Sequence, residues 1–283
     1  MWTKLWQNFL TNPAVIDFII EDIKQNADLS LDTFEIWPWK CALTRELVKI
    51  KPDLKVFEKD ETLKKYLKEC VKEENIIMGD FLEADISKYV KWEKFNAVWN
   101  LPYYITSPIF RKLVLVWGQM KNLDEVRWKV GCQEDAKKIN QRGELSDNSL
   151  NNSQISMQYW IFMIQKEVWE KIKTDTKNKS MLWYLLNLNH KITYLKTVPP
   201  EDFSPPPKVD SCLVRFEYTG ANPDIDPNRL FQILSLITPI KKKTLWKIQK
   251  ILEKQWKKLE VPEDLKNKRI HELSYDEIKK IKI

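Results

Sequence analysis

The chain has 283 residues, 43% of them hydrophobic, enough for one large domain or a main domain with a smaller appendage and too apolar for global disorder. A net charge of +7 and a pI near 9.0 favour a polyanionic partner. Four scattered cysteines without a CxxC pair and only two histidines argue against a disulfide framework or a metal site, and no segment is apolar for long enough to span a bilayer, so a soluble cytoplasmic protein is expected.

From residue 33 to about 117, short apolar strands alternate with helical stretches. TFEI (33–36) precedes ALTRELVKI (42–50), and LKVFEKD (54–60) precedes ETLKKYLKECVK (61–72). NIIMGD (75–80) follows, and FNAVWNLP (95–102) precedes SPIFRKLVLVW (107–117). This order predicts a parallel sheet covered by helices. Residues 118–155 are polar, and NQRGELSDNSLNNSQ (140–154) has almost nothing to bury, which reads as a long insertion. Sheet pattern resumes at SMQYWIFMI (156–164), with helices from about Gln165 and near 181–188, and strands at KITYLKTV (191–198) and SCLVRFEY (211–218). From Pro227 the pattern is helical, punctuated by Pro239 and Pro262. The expected division is a main α/β domain over 1–220 and a small helical domain over 221–283.

Four stretches fall at the carboxyl ends of expected strands, the edge where open α/β sheets bind ligands. They are the turn Trp37-Pro38-Trp39, the acid Glu58 placed 21 residues beyond Trp37, the pair Gly79-Asp80, and Asn100-Leu101-Pro102-Tyr103. An acid at the end of the second strand commonly accepts hydrogen bonds from ribose hydroxyls. Each stretch alone has a bland reading, a solvated acid or an ordinary turn; the four in order point to a nucleotide-type cofactor.

The composition carries an anomaly. There are 5 glycines and 13 tryptophans, where a chain of this length would hold about 20 glycines at the usual ~7%. A strand-to-helix turn that lies against a ligand normally uses glycine, and here it carries two indoles.

With QNFL (7–10), NLPYYITSPIF (100–110), QKEVWEKI (165–172) and FSPPPKVDSCLVRFE (203–217), the chain resembles the KsgA-type small-subunit rRNA adenine N6-dimethyltransferases. The likeness runs from Gln7 to the lysine-rich stretch near Leu245 and omits only 118–155 and the last ~30 residues. It implies a Rossmann-like fold and S-adenosylmethionine as cofactor. It assigns Asn8, Leu10, the 37–39 turn, Glu58, Asp80 and Asn100 to cofactor binding. Asn100 Oδ1 and the Leu101 carbonyl would accept the target N6 hydrogens, Pro102 would stiffen the turn, and Tyr103 and Phe203 would sandwich the base. The implied substrate is the 3′-terminal hairpin of small-subunit rRNA in an immature subunit, met by a monomer and modified at two adjacent adenines. Lys208, Lys241, Lys242, Lys243 and Lys247 would track phosphates; eight lysines stand against one acid, Glu253, between 241 and 258. A solvated helix face is the plain reading of those lysines.

Where the family reads EIGPGKGALT, this chain reads EIWPWKCALT, and tryptophan also replaces family glycines at Trp6, Trp99 and Trp183. The expectation is a UGA codon that means glycine in the organism and was translated as tryptophan. If the indoles are real, the chain is instead a non-catalytic rRNA-binding assembly factor; a related large-subunit rRNA adenine methylase is the other alternative.

Overall fold

The computed structural model describes residues 8–91, 94–100, 110, 156–173, 175 and 179–283. The polar stretch 118–155 and residues Leu101, Pro102 and Tyr103 lie outside them. A seven-stranded sheet is built from β2 (Asp32–Ile36), β3 (Lys55–Glu58), β4 (Ile76–Met78), β5 (Lys94–Asn100), β6 (Ser156–Gln165), β7 (His190–Val198) and β9 (Ser211–Tyr218), in spatial order β4-β3-β2-β5-β6-β9-β7. The first five positions pair in parallel, while β9 runs antiparallel to both β6 and β7. The α/β Rossmann-like class expected of the sequence is therefore the class observed.

Both faces of the sheet are covered, which is why its strands are apolar on alternate residues in both directions. Phe95, Ala97 and Trp99 of β5 and Trp160, Phe162 and Ile164 of β6 join one core, with Tyr184 and the C-terminal residues Leu230, Phe231 and Leu234. Val98, Tyr159, Ile161 and Met163 join the other, beneath α1 (Pro13–Asn26) and α2 (Thr44–Ile50). Beyond α4 (Lys166–Ile172) and α5 (Met181–Leu186), the helices α6 (Pro227–Ile237) and α7 (Leu245–Glu253) thus share a core with the sheet. Tyr184 Oη donates to the Leu273 carbonyl at 2.9 Å, and Tyr275 Oη donates to that of Tyr184 at 2.7 Å.

One expected helix shrinks. The stretch 61–72 forms a 3₁₀ turn (Glu61–Leu63) and a single helical turn, α3 (Lys64–Leu67). Only Leu67 and Val71 of it are buried, a stripe too narrow to hold three turns on the sheet.

The helix α1 matters most for the site. Asn12 caps it, its side chain accepting from the Ala14 amide at 2.9 Å, with Pro13 pre-set at the first helical position. Val15, Ile16, Ile19, Ile20 and Ile23 form its buried stripe. The Asn12 amide nitrogen also donates to Asp202 Oδ1 at 2.6 Å, tying the helix start to the short pair β1 (Phe9–Leu10) and β8 (Phe203–Ser204). Farther along, Asp22 accepts from Tyr159 Oη at 2.7 Å and pairs with Arg215 at 2.8 Å, and Arg215 also meets Glu217 at 3.1 Å. Asp22→Ala leaves the mostly buried Arg215 guanidinium with Glu217 alone and the buried Tyr159 phenol without its acceptor, so it should cost about 3 kcal/mol of stability in urea unfolding. A loss below about 1 kcal/mol, the range of a surface pair, would show that the cluster does not anchor α1.

Candidate functional site

The sheet changes direction between β2 and β5. From β2 the chain steps outward to β3 and β4, then returns to the other side of β2 as β5. The carboxyl ends of β2 and β5 flank the resulting crevice, where a doubly wound sheet holds its ligand. Ile36 lies opposite Trp99 in register, so residue 37 leaves the sheet beside Asn100, the last residue of β5. The sequence-expected acids arrive at the same edge. The Trp37 amide bonds the Phe57 carbonyl and the Gly79 amide bonds that of Glu58, each at 2.8 Å, aligning the ends of β2, β3 and β4.

Glu58 is buried; its Oε1 accepts from the amides of Lys59 and Asp60, both at 2.8 Å, and the Trp39 amide also faces the carboxyl. Its Oε2 is buried with no hydrogen-bond partner among the described residues. Burial pushes the Glu58 carboxyl up to about 7, against the pull of the two amides. A spare buried acceptor at the end of β3 fits a pair of hydroxyl donors. Asp80 accepts from the Leu82 amide at 2.9 Å and pairs with Lys59 at 2.7 Å.

The β1–β8 pair brings two distant predicted residues together: Leu10 registers with Phe203, and both are buried. Asn8, half-buried, leads into this pair. The strands are held further by the Thr11 amide and hydroxyl, which donate to the Asp202 carbonyl at 2.8 and 3.0 Å. Next to the pair lies a cavity of about 290 Å³, lined among others by Phe9, Leu10, Glu35, Trp39, Trp99 and Met163. That is at the small end of ligand pockets, which run ~300–1,000 Å³. Neither Glu58, Asp80 nor Phe203 lines it. Asn100 ends β5 opposite Met163. Lys208, Lys241, Lys242, Lys243 and Lys247 are all exposed, away from the cavity lining. Among the described residues no cluster of potential ligands could hold a metal, and no helix is long and apolar enough to cross a membrane.

The turn itself does not fit a cofactor as it is written. Trp37, Trp39 and Cys41 have φ of 58°, 52° and 67°, three left-handed residues in five. For a residue with a Cβ that conformation costs roughly 1–2 kcal/mol each. The Trp37 indole is buried against Trp99 with ring centres 5.3 Å apart, and the Trp39 ring stands edge-on to Phe9 at 5.6 Å while lining the cavity. The acids at the edge therefore suit a nucleoside ligand, and the indoles occupy the space beside them.

Sequence reading missed Glu35. It is buried, lines the cavity, and is pushed up to about 8 by burial, opposed by the Thr44 hydroxyl and reinforced by the Glu58 charge. The signal was its place, an acid between the apolar Phe34 and Ile36 at the end of the strand. Above pH 4.5 the unfolded carboxyl ionises while the folded one keeps its proton to about 8, so the unfolded chain binds fewer protons and stability falls over that window. Glu35→Gln, which cannot ionise, should flatten that fall when urea midpoints are followed with pH. An unchanged slope would place the titration elsewhere.

The comparisons with known proteins agree with this geometry. The family described as ribosomal RNA adenine dimethylase matches residues 2–282. The chain is 30% identical over 279 residues to the ribosomal RNA small subunit methyltransferase A of Bacteroides fragilis, covering 96% of this chain and 88% of that one. Its fold is similar to that of a dimethyladenosine transferase from Plasmodium falciparum, with a TM-score of 0.64, 21% identity and coverage of 95% and 94% of the two chains. It is also similar to that of the 23S rRNA methyltransferase ErmE, with a TM-score of 0.57, 23% identity and coverage of 88% and 84%. With a family match across nearly its whole length and the switch-point site of a Rossmann-like methyltransferase, this chain belongs to the ribosomal RNA adenine dimethylase family.

Proposed function

We propose that the chain transfers methyl groups from S-adenosylmethionine to N6 of two adjacent adenines in the 3′-terminal hairpin of small-subunit rRNA, acting as a cytoplasmic monomer on immature small subunits. The observation that carries this reading is the convergence at one sheet edge: the β1–β8 pair seats Leu10 and Phe203 beside the switch point, where β5 delivers Asn100. Rossmann-like methyltransferase chemistry needs little else. Bound S-adenosylmethionine supplies an electrophilic methyl on a sulfonium.

The rest of the work falls to the chain. The lone pair of an adenine amino group is delocalised into the ring, which makes it a poor nucleophile. Asn100 Oδ1 and the Leu101 carbonyl accept its two hydrogens and draw the lone pair out of conjugation, while Pro102 keeps that short segment stiff. Tyr103 and Phe203 hold the faces of the extruded base. A methylated amino group is acidic and sheds its proton to water, so no strong base is required. That suits an edge where burial keeps the Glu35 carboxyl protonated at neutrality. Glu58, through its spare Oε2, and Asp80 hold the cofactor's nucleoside hydroxyls and adenine amine. Asn8 and Leu10 close the site from β1. The exposed lysines at 208, 241, 242, 243 and 247 supply the phosphate contacts, with α6 and α7 as the frame for the last four. Bases in a hairpin loop are cheaper to extract than paired ones.

One observation favours a second reading. If the indoles at 37 and 39 are present in the native protein, they crowd the cofactor turn, and the chain is a non-catalytic rRNA-binding assembly factor.

Enzyme isolated from its own organism should transfer labelled methyl groups to immature small subunits, and nucleoside mass spectrometry should find N6,N6-dimethyladenosine in the 3′-terminal hairpin. Label in large-subunit RNA alone would overturn the substrate. Asn100→Ala should lower turnover by about 10²-fold, the usual value of a positioned polar group at the reacting atom. Near-normal turnover in that variant would remove Asn100 from the mechanism.

A further inference from the structure

The left-handed residues of this chain are not distributed as side-chain chemistry requires. Among the described residues only four non-glycine residues have positive φ: Trp37, Trp39, Cys41 and Trp256. Asparagine and aspartate are the residues that ordinarily tolerate this conformation besides glycine. None of them is there. Tryptophan makes up 13 of 283 residues and takes three of the four places.

Trp256 is the informative one, because it lies in the C-terminal helical segment, far in sequence from the cofactor turn. It follows α7, with φ 59°. The Lys257 amide bonds the Leu252 carbonyl at 3.0 Å and the Trp256 amide bonds that of Glu253 at 3.1 Å. Those two bonds are the Schellman motif, with residue 256 at the left-handed position that glycine usually fills. The indole there is 97% exposed. It packs against nothing that would offset the strain of its backbone. At 37 and 39 the same backbone requirement recurs in the turn after β2. The buried indole of Trp99, tilted against that of Trp37, adds an Nε1 with no hydrogen-bond partner among the described residues. Trp183 differs: its indole donates to the Lys173 carbonyl at 2.9 Å and stacks on Tyr275, and its backbone is helical, so nothing in the fold argues against it.

We infer that the native protein carries glycine at positions 37, 39 and 256, the codon at each being UGA, read as glycine by the organism and as tryptophan in the sequence given. Three more glycines also move the chain toward the usual glycine content. At 37 and 39 the consequence is functional, since loss of both indoles opens the space between the turn and Trp99 and restores a cradle beside Glu58. This last step rests on the proposed cofactor site; the assignment at 256 does not.

The test is the native protein from its own organism. Peptides covering 25–40 and 254–260 should show glycine at all three positions by mass spectrometry, with TGA at the corresponding codons. Tryptophan in any of the three peptide positions, or TGG in the DNA, overturns the inference. In recombinant protein, Trp256→Gly should raise the unfolding midpoint by about 2–4 °C, and an unchanged or lower midpoint counts against the strain on which the assignment stands. Trp37→Gly with Trp39→Gly should bind S-adenosylmethionine at least about tenfold more tightly than the chain as written. Equal affinity would overturn the cradle. Methylation of some other RNA by the glycine protein would sink the proposed substrate and leave the residue assignment intact, so the two readings fail separately.

Discussion

The backbone that leaves β2 must turn left-handed at 37, 39 and 41, and the rest of the ligand edge is arranged around that path. The turn lets the chain pass from the strand end into α2 within a few residues while its amides face outward along the edge. The Trp37 amide reaches the Phe57 carbonyl, and the Trp39 amide faces the Glu58 carboxyl. Those contacts align the ends of β2 and β3 and leave one oxygen of Glu58 free for a ligand. A right-handed path would take the amides off that edge. The constraint is on main-chain dihedrals alone, so it falls on whatever residue the codon specifies, and only a residue without a Cβ meets it at no cost.

A second arrangement completes the site from the far ends of the chain. The β1–β8 pair is only two residues long and could not persist by itself in water. It is held by Asn12, which caps α1 and bonds Asp202 with the same side chain, and by the anchoring of α1 to the sheet through Asp22, Arg215 and Tyr159. Helix position, cap and clip are thus one mechanical unit. The buried stripe of α1 supplies the driving force, and the polar cluster fixes where along the sheet the helix sits.

The electrostatics of the edge follow from burial more than from charge pairing. Glu35 and Glu58 are both held above the ordinary carboxyl range by desolvation, with the Glu58 charge adding to the rise at Glu35 and the Asp60 charge to that at Glu58. A protonated Glu35 accepts and donates hydrogen bonds without placing full negative charge beside the cavity it lines. A separate group of exposed lysines lies around α6 and α7 and at Lys208, outside the cavity lining. Under the proposed function, attraction of the polyanion and chemistry on the base fall to different surfaces.

Much of this was legible in the residues. Strand–helix alternation specifies the parallel sheet, because each pattern can bury its apolar face in only one way. The strand-end positions of Trp37, Glu58, Asp80 and Asn100 mark the ligand edge, because successive parallel strands all end on the same side. The family motifs name the family, and the low glycine count beside the high tryptophan count draws attention to the residues at 37 and 39. Tertiary structure decided the rest. The pairing of Leu10 with Phe203 is a long-range contact between two short segments, and no local periodicity encodes it. The truncation of α3 came from how little of it the sheet could bury. Glu35 became a site residue only once its strand was enclosed on both faces, since desolvation is a property of the surroundings and not of the side chain. The left-handed turn at Trp256 likewise depends on how α7 ends against its neighbours, a dihedral angle that letters in a sequence do not carry.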